Sequence, residues 1–162
     1  MNILAIDPGT KTGWASLSKR HIESGVHDFQ LGRGDSPGMR FLRFRNWLAD
    51  MLTMTAPDLV VYERPLLKFG YSAEVLAGFT TRIQEACAER RIECEAVHGP
   101  TLKKFTCGTG RADKAQMVVA ATKRFGKKVH DDNEADALNL LWLAMQENRQ
   151  TPPDQPGEKS KS

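Results

Sequence analysis

Residues 58 to 62, Asp-Leu-Val-Val-Tyr, restrict the fold more than any other segment. A short apolar run set between Pro57 and Glu63-Arg64-Pro65 suits a strand buried on both faces, as found inside a sheet covered by helices. The neighbouring segments supply such cover. From Pro37 through Met54, Met39, Leu42, Trp47, Leu48, Met51 and Leu52 recur at three- and four-residue spacings, which predicts an amphipathic helix stopped by Pro57. Ser72 to Arg90 predicts a second, with Val75, Phe79, Ile83 and Ala86 in one stripe and Leu76 and Cys87 beside it. Ile92 to Val97 then reads as another strand, so the segment pattern is α/β.

The N-terminal part reads as a meander. Asn2 to Asp7 is an apolar strand ended by the Pro8-Gly9 turn, Gly13 to Leu17 is the returning strand, and Ile22 to Leu31 a third. Further on come a short helix over Pro100 to Phe105, a loop over Gly108 to Gly110, and a helix over Lys114 to Phe125. The last helix spans Asp131 to Asn148; Asp131 is expected to accept from the first-turn backbone, with Glu134 reaching back to complete a capping box. A length of 162 residues, 40% of them hydrophobic, predicts one domain over 1–148 with a core that needs no disulfides. Residues 149–162, rich in Pro, Lys and Ser, are expected to form a disordered polar tail.

Cys87, Cys94 and Cys107 are odd in number and lack CxxC or zinc-ligand spacing, which predicts reduced, mostly buried thiols. The first residues carry no basic region of a signal peptide, and no apolar run approaches the roughly 18 residues of a membrane span; a cytoplasmic protein without a membrane partner is expected. Net charge is only +3, from 23 basic and 20 acidic side chains. Its distribution is uneven. Between Thr101 and Lys128 stand Lys103, Lys104, Arg111, Lys114, Lys123, Arg124, Lys127 and Lys128 against the single acid Asp113, either a phosphate-binding surface or a solvated helix face.

Carboxylates from separate segments carry the chemistry. Asp7 is at a strand tip, where Asp before Pro-Gly is also ordinary turn chemistry. Glu63 ends the most apolar strand, the position at which open α/β sheets place ligands. Asp136, between Ala135 and Ala137-Leu138 on an apolar helix, approaches the core; an ionised carboxylate there needs a cation, hydrogen bonds or a proton. Asp132 lies one turn earlier on the same face, a like-charged pair that a divalent cation would relieve. Carboxylate oxygens suit Mg²⁺ or Mn²⁺, and two such ions can activate a water and stabilise the leaving oxygen of a phosphodiester. His130, beside the cluster, is a metal contact, a helper in proton transfer or a solvated helix-end residue.

Ala-Ile-Asp-Pro-Gly-Thr-Lys-Thr-Gly-Trp-Ala at 5 to 15, Val-Tyr-Glu-Arg-Pro at 61 to 65, Pro-Thr-Leu-Lys-Lys-Phe with Asp113-Lys114 after it, and Asp-Asp-Asn-Glu-Ala-Asp-Ala-Leu at 131 to 138 resemble RuvC-type Holliday-junction resolvases, especially small phage-like ones. The motifs occur in family order from Ile3 to about Met145. The resemblance implies an RNase-H-like fold, a five-stranded mixed sheet flanked by helices. It also implies a homodimer making paired, metal-dependent incisions in four-way and possibly other branched DNA. By the same resemblance Asp7, Glu63 and Asp136 match the metal-binding acids. The family's remaining acid stands three residues before the last Asp, where this chain has Asn133, so Asp132 is assigned that role with Asp131 as substitute.

The resemblance further implies DNA contacts for Lys103, Lys104, Lys114 and Arg111. It places Phe69 and Tyr71 in a loop where family members insert an aromatic at the junction; each either stacks on an unpaired base or staples the loop to the core. The helix over 72–90 is where the family dimerises, and its stripe is equally what core packing requires. Rival readings are the YqgF-type branch of the same fold, acting on RNA, and a non-catalytic binder of branched DNA. A sugar-kinase or actin-type ATPase needs two domains, for which the chain is too short.

Overall fold

A computed structural model of the chain describes residues 1–66 and 69–149. In order, the elements are β1 (Ile3–Asp7), β2 (Lys11–Ser18), β3 (His21–Asp28), α1 (Gly38–Thr55), β4 (Leu59–Arg64), α2 (Tyr71–Arg90), β5 (Glu93–His98), α3 (Gly99–Cys107), α4 (Lys114–Phe125) and α5 (Asp132–Glu147). They build one five-stranded sheet of order β3-β2-β1-β4-β5. β1 runs antiparallel to β2 and parallel to β4, which is parallel to β5.

Successive strand side chains point to opposite faces, and the two central strands bury both. Ile3, Ala5, Leu59 and Val61 face a core shared with α3, α4 and α5. Leu4, Ile6, Val60 and Tyr62 face a second core shared with α1 and α2. The stripe Val75, Phe79, Ile83 and Cys87 of α2 is buried in that second core, so core packing accounts for it. Gly78 of α2 admits Phe41 of α1: a Cβ there would lie 2.2 Å from the Phe41 ring.

Local chemistry sets the ends. α4 occupies the predicted residues because Asp113 and Gln116 form a capping box, and Gly126, at φ 60°, ends the helix. β3 stops at Asp28 rather than Leu31, since the Asp28 carboxylate accepts from the Gln30 N–H at 2.8 Å and turns the chain. The capping box expected at α5 is half formed. Asp131 accepts from the N–H groups of Asn133 and Glu134, but Glu134 accepts from Ser24 and Lys127 instead of reaching back. Cys87 is buried, Cys94 and Cys107 half-buried, and all three are free thiols. No described helix is long and apolar enough to cross a membrane. Of the predicted polar tail, residues 150–162 lie outside the described residues.

Candidate active site

The alternation of β1 and β4 decides where their last acids point. Ile6 is level with Tyr62, so Asp7 and Glu63 are the next residues out on adjacent strands. Both continue the odd-numbered series that faces α5. The Pro8-Gly9 turn is fixed by buried Thr12, whose hydroxyl donates to the Gly9 carbonyl at 2.7 Å and accepts from its N–H at 3.3 Å. The start of α5 rests directly on β2. At Gly13, the partner of Asp7, a Cβ would lie 1.9 Å from the Asn133 carbonyl oxygen, so only glycine permits this approach. Glu63 fills the space over Gly99 at the start of α3, where a Cβ would come within 2.7 Å of its Oε1.

The four acids affect one another strongly. Burial, then the charges of Glu63, Asp136 and Asp132, holds the Asp7 carboxyl well above the usual range, with Lys114 opposing. Glu63 is pushed up to about 7 by burial and by Asp136, against the pull of Lys103. Asp136 is pushed up to about 6 by burial and Asp132, against Lys103 and Lys114. Its Oδ1 is buried without a hydrogen-bond partner among the described residues. Asp132 differs. Lys114 Nζ sits 2.6 Å from its Oδ2 and lowers its pKa.

A buried carboxylate oxygen without a donor, raised carboxyl pKa values and hard oxygen donors from separate segments fit a divalent cation. Among the described residues, no three acidic, His or Cys side chains form a ready-made ligand group. With Asp132 turned to Lys114, the acids adjoin one another but do not close on a point. Asp131 uses its Oδ1 in capping α5, a commitment that Asp132 does not share. His130 is exposed and is not among the groups acting on these carboxylates.

The basic stretch divides. Half-buried Lys103 and exposed Lys114 bear on the acids, while Lys104 and Arg111 are exposed. Arg124 lies over Trp142 and Phe105, and exposed Lys127 pairs with Glu134 at 2.7 Å. Lys11 also acts on Asp132, a role the sequence reading missed although it follows Asp7 by four residues. The two aromatics separate as well. Phe69 is fully exposed, which removes the staple reading for it. Tyr71 accepts from Arg40 Nη1 at 2.9 Å.

No protein-family model matches the chain. Crossover junction endodeoxyribonuclease RuvC of Streptomyces avermitilis is 27% identical over 161 aligned residues, 92% of each chain. RuvC of Streptomyces coelicolor is also 27% identical, over 92% of this chain and 86% of its own. The chain resembles the RuvC crossover junction endodeoxyribonucleases. Among solved structures, Thermus thermophilus RuvC in complex with Holliday junction substrate superposes with a TM-score of 0.75 at 18% identity, over 91% of this chain and 96% of that one. The yeast mitochondrial Holliday junction resolvase Ydc2 gives 0.57 at 14% identity, over 90% and 80%. The architecture shared with RuvC is the RNase-H-like fold, a five-stranded mixed sheet flanked by helices.

Proposed function

We propose that the chain is a structure-selective endodeoxyribonuclease that resolves Holliday junctions by metal-dependent hydrolysis. The observation carrying this reading is the meeting of Asp7, Glu63 and Asp136 on one face of the sheet, each carboxyl raised by burial and by its neighbours. The likeness to RuvC over most of the chain supports the choice of branched DNA as substrate.

Asp7, Glu63, Asp136 and Asp132 are the residues that would hold Mg²⁺ or Mn²⁺, two ions per site by their number. Such ions supply Lewis-acid activation of a water and neutralise charge at the scissile phosphate. The protein's own groups do the rest. Lys103, Lys114 and Lys11 carry positive charge beside the acids and draw the DNA backbone toward them; Lys104 and Arg111 extend that charge outward. Lys114, paired with Asp132 here, would be free to meet a phosphate oxygen where that acid holds a metal. Phe69 projects into solvent beyond the end of β4 and is offered to unpaired bases at the branch point. Paired incision of a four-way junction calls for two copies, so we assign a homodimer working on cytoplasmic DNA, with forks and other branched forms as further substrates.

The experiment is incubation of purified protein with a four-way junction, a linear duplex and a fork, each with Mg²⁺, Mn²⁺ or chelator, followed by product mapping. Symmetric nicks in the junction under metal are expected. Cutting of several branched forms identifies a broader debranching nuclease, and junction binding without cutting in either metal overturns the nuclease reading.

A further inference from the structure

Arg40 is in an unfavourable place for a cation. It occupies the first turn of α1, whose dipole end is positive and whose first turn holds no acid, and it is only 7% exposed. No carboxylate pairs with it among the described residues. An apolar side chain would fill this position without the cost of burying charge. What the guanidinium does instead is join two segments. Its Nε donates to the Phe29 carbonyl at 3.0 Å, its Nη1 donates to the Tyr71 hydroxyl at 2.9 Å, and it lies over the Tyr71 ring, 5.6 Å from the centroid.

Both segments lie at the acid end of the sheet. Phe29 donates its N–H to the Thr10 carbonyl at 2.7 Å, in the turn that follows Asp7. Tyr71 opens α2 and is separated from exposed Phe69 only by Gly70. Gly70 holds φ 103° and ψ −168°, a backbone conformation that is nearly exclusive to glycine, so the link between the anchored ring and the free one depends on this residue. A bonded path therefore runs from the Asp7 turn through Phe29 and Arg40 to Tyr71, and Phe69 hangs from its end.

We propose that Arg40 is a positioning residue: by fixing Tyr71 to the segment beside the Asp7 turn, it sets the direction in which Phe69 is presented to DNA. Tyr71 is then the anchor and Phe69 the only one of the two rings that enters the substrate. The inference rests on the branched-DNA reading of Phe69.

The test uses the full chain with a four-way junction carrying 2-aminopurine at the crossover, in chelator so that nothing is cut. Fluorescence reports base unstacking, and anisotropy reports affinity. Tyr71→Phe removes one hydroxyl and keeps the ring. It should cut the fluorescence rise about fivefold, the scale of one such hydrogen bond, with junction affinity unchanged. Phe69→Ala should abolish the rise, and adding Tyr71→Phe to Phe69→Ala should do nothing more, a non-additivity that general loosening of the fold does not produce. Arg40→Lys, which cannot bridge both partners, should match Tyr71→Phe. A full rise in Tyr71→Phe and Arg40→Lys together with none in Phe69→Ala overturns the positioning role. A full rise in Phe69→Ala overturns the DNA reading of Phe69, and the positioning role falls with it.

Discussion

The two faces of the sheet are built from different side chains. Between the sheet and α1 and α2 lie interlocked rings: Phe44 stacks on Phe79 with centroids 4.1 Å apart, and Phe29 meets Phe44 and Phe79 edge-on at 5.2 and 5.6 Å. The fully buried centre of the opposite face holds no ring among the described residues: Ala135, Ala137, Leu138, Leu141 and Ala144 of α5 lie over Ile3, Ala5, Ala15 and Val61, and Phe105, Phe125 and Trp142 are only partly buried against it. Rings fix helices firmly at ring distance. Alanines and Gly13 let a helix backbone settle onto a strand, and that close approach brings Asp132 and Asp136 to Asp7 and Glu63. One face supplies rigidity; the other sacrifices packing volume for proximity of charge.

The sharpest test of this division is Asp7→Asn. Cleavage should fall by about 10³-fold while junction binding survives, because the substitution removes charge and keeps shape. The metal-free protein should melt higher than the parent, one of the mutually repelling carboxylates being gone. Equal cleavage rates would sink the assignment of the acids. On the ring face, Phe79→Ala should cost about 3–5 kcal/mol in chemical denaturation, yet leave the cleavage rate of folded molecules near that of the parent. A large rate loss in folded protein would break the contrast between the faces. Gly13→Ala should cost about 1–3 kcal/mol and also depress cleavage in the folded fraction, since its methyl group must push the start of α5 off β2.

Acidity sharpens the same contrast. The Glu63 pKa rises from 4.5 to about 7, so between these values the folded state keeps a proton that the unfolded chain has released. Its contribution to stability is full below 4.5 and is lost as pH climbs through about 7; Asp136 acts alike between 3.8 and about 6. Melting in chelator should therefore fall as pH rises across this window, and added Mg²⁺ should raise the melting temperature more at the alkaline end. A flat profile would mean that these acids are ionised without strain. The smallest effect belongs to Lys114→Met. The Lys114 side chain is 82% exposed, so its ion pair is worth about 0–1 kcal/mol to the fold. Its loss should instead reduce the salt dependence of junction binding by about one unit of slope.

Much of this site could be read from local pattern. A run of Leu-Val-Val-Tyr announces a doubly buried strand, and its parity with Ile-Leu-Ala-Ile puts Asp7 and Glu63 on one face. Asp113 and Gln116 cap α4 by contacts three residues apart, which a sequence shows directly. What escaped depends on residues distant in the chain. Glu134 leaves its expected cap for Ser24 and Lys127, which lie across the fold. Lys114 and Asp132 are 2.6 Å apart only because α4 and α5 pack together, so the sequence does not show that a lysine assigned to DNA also pairs with the acid cluster. Phe69 and Tyr71 look equivalent in sequence; Arg40, from another helix, bonds the Tyr71 hydroxyl while Phe69 stands fully exposed.

α5 is the last helix among the described residues, yet it packs on β1 and β2, the first two strands. During synthesis Asp7 and Glu63 leave the ribosome well before Asp136 exists. A nascent or prematurely terminated chain thus holds only part of the acid cluster. Because the cluster draws on β1, β4 and the much later α5, only a chain that has folded through α5 holds all of its acids together.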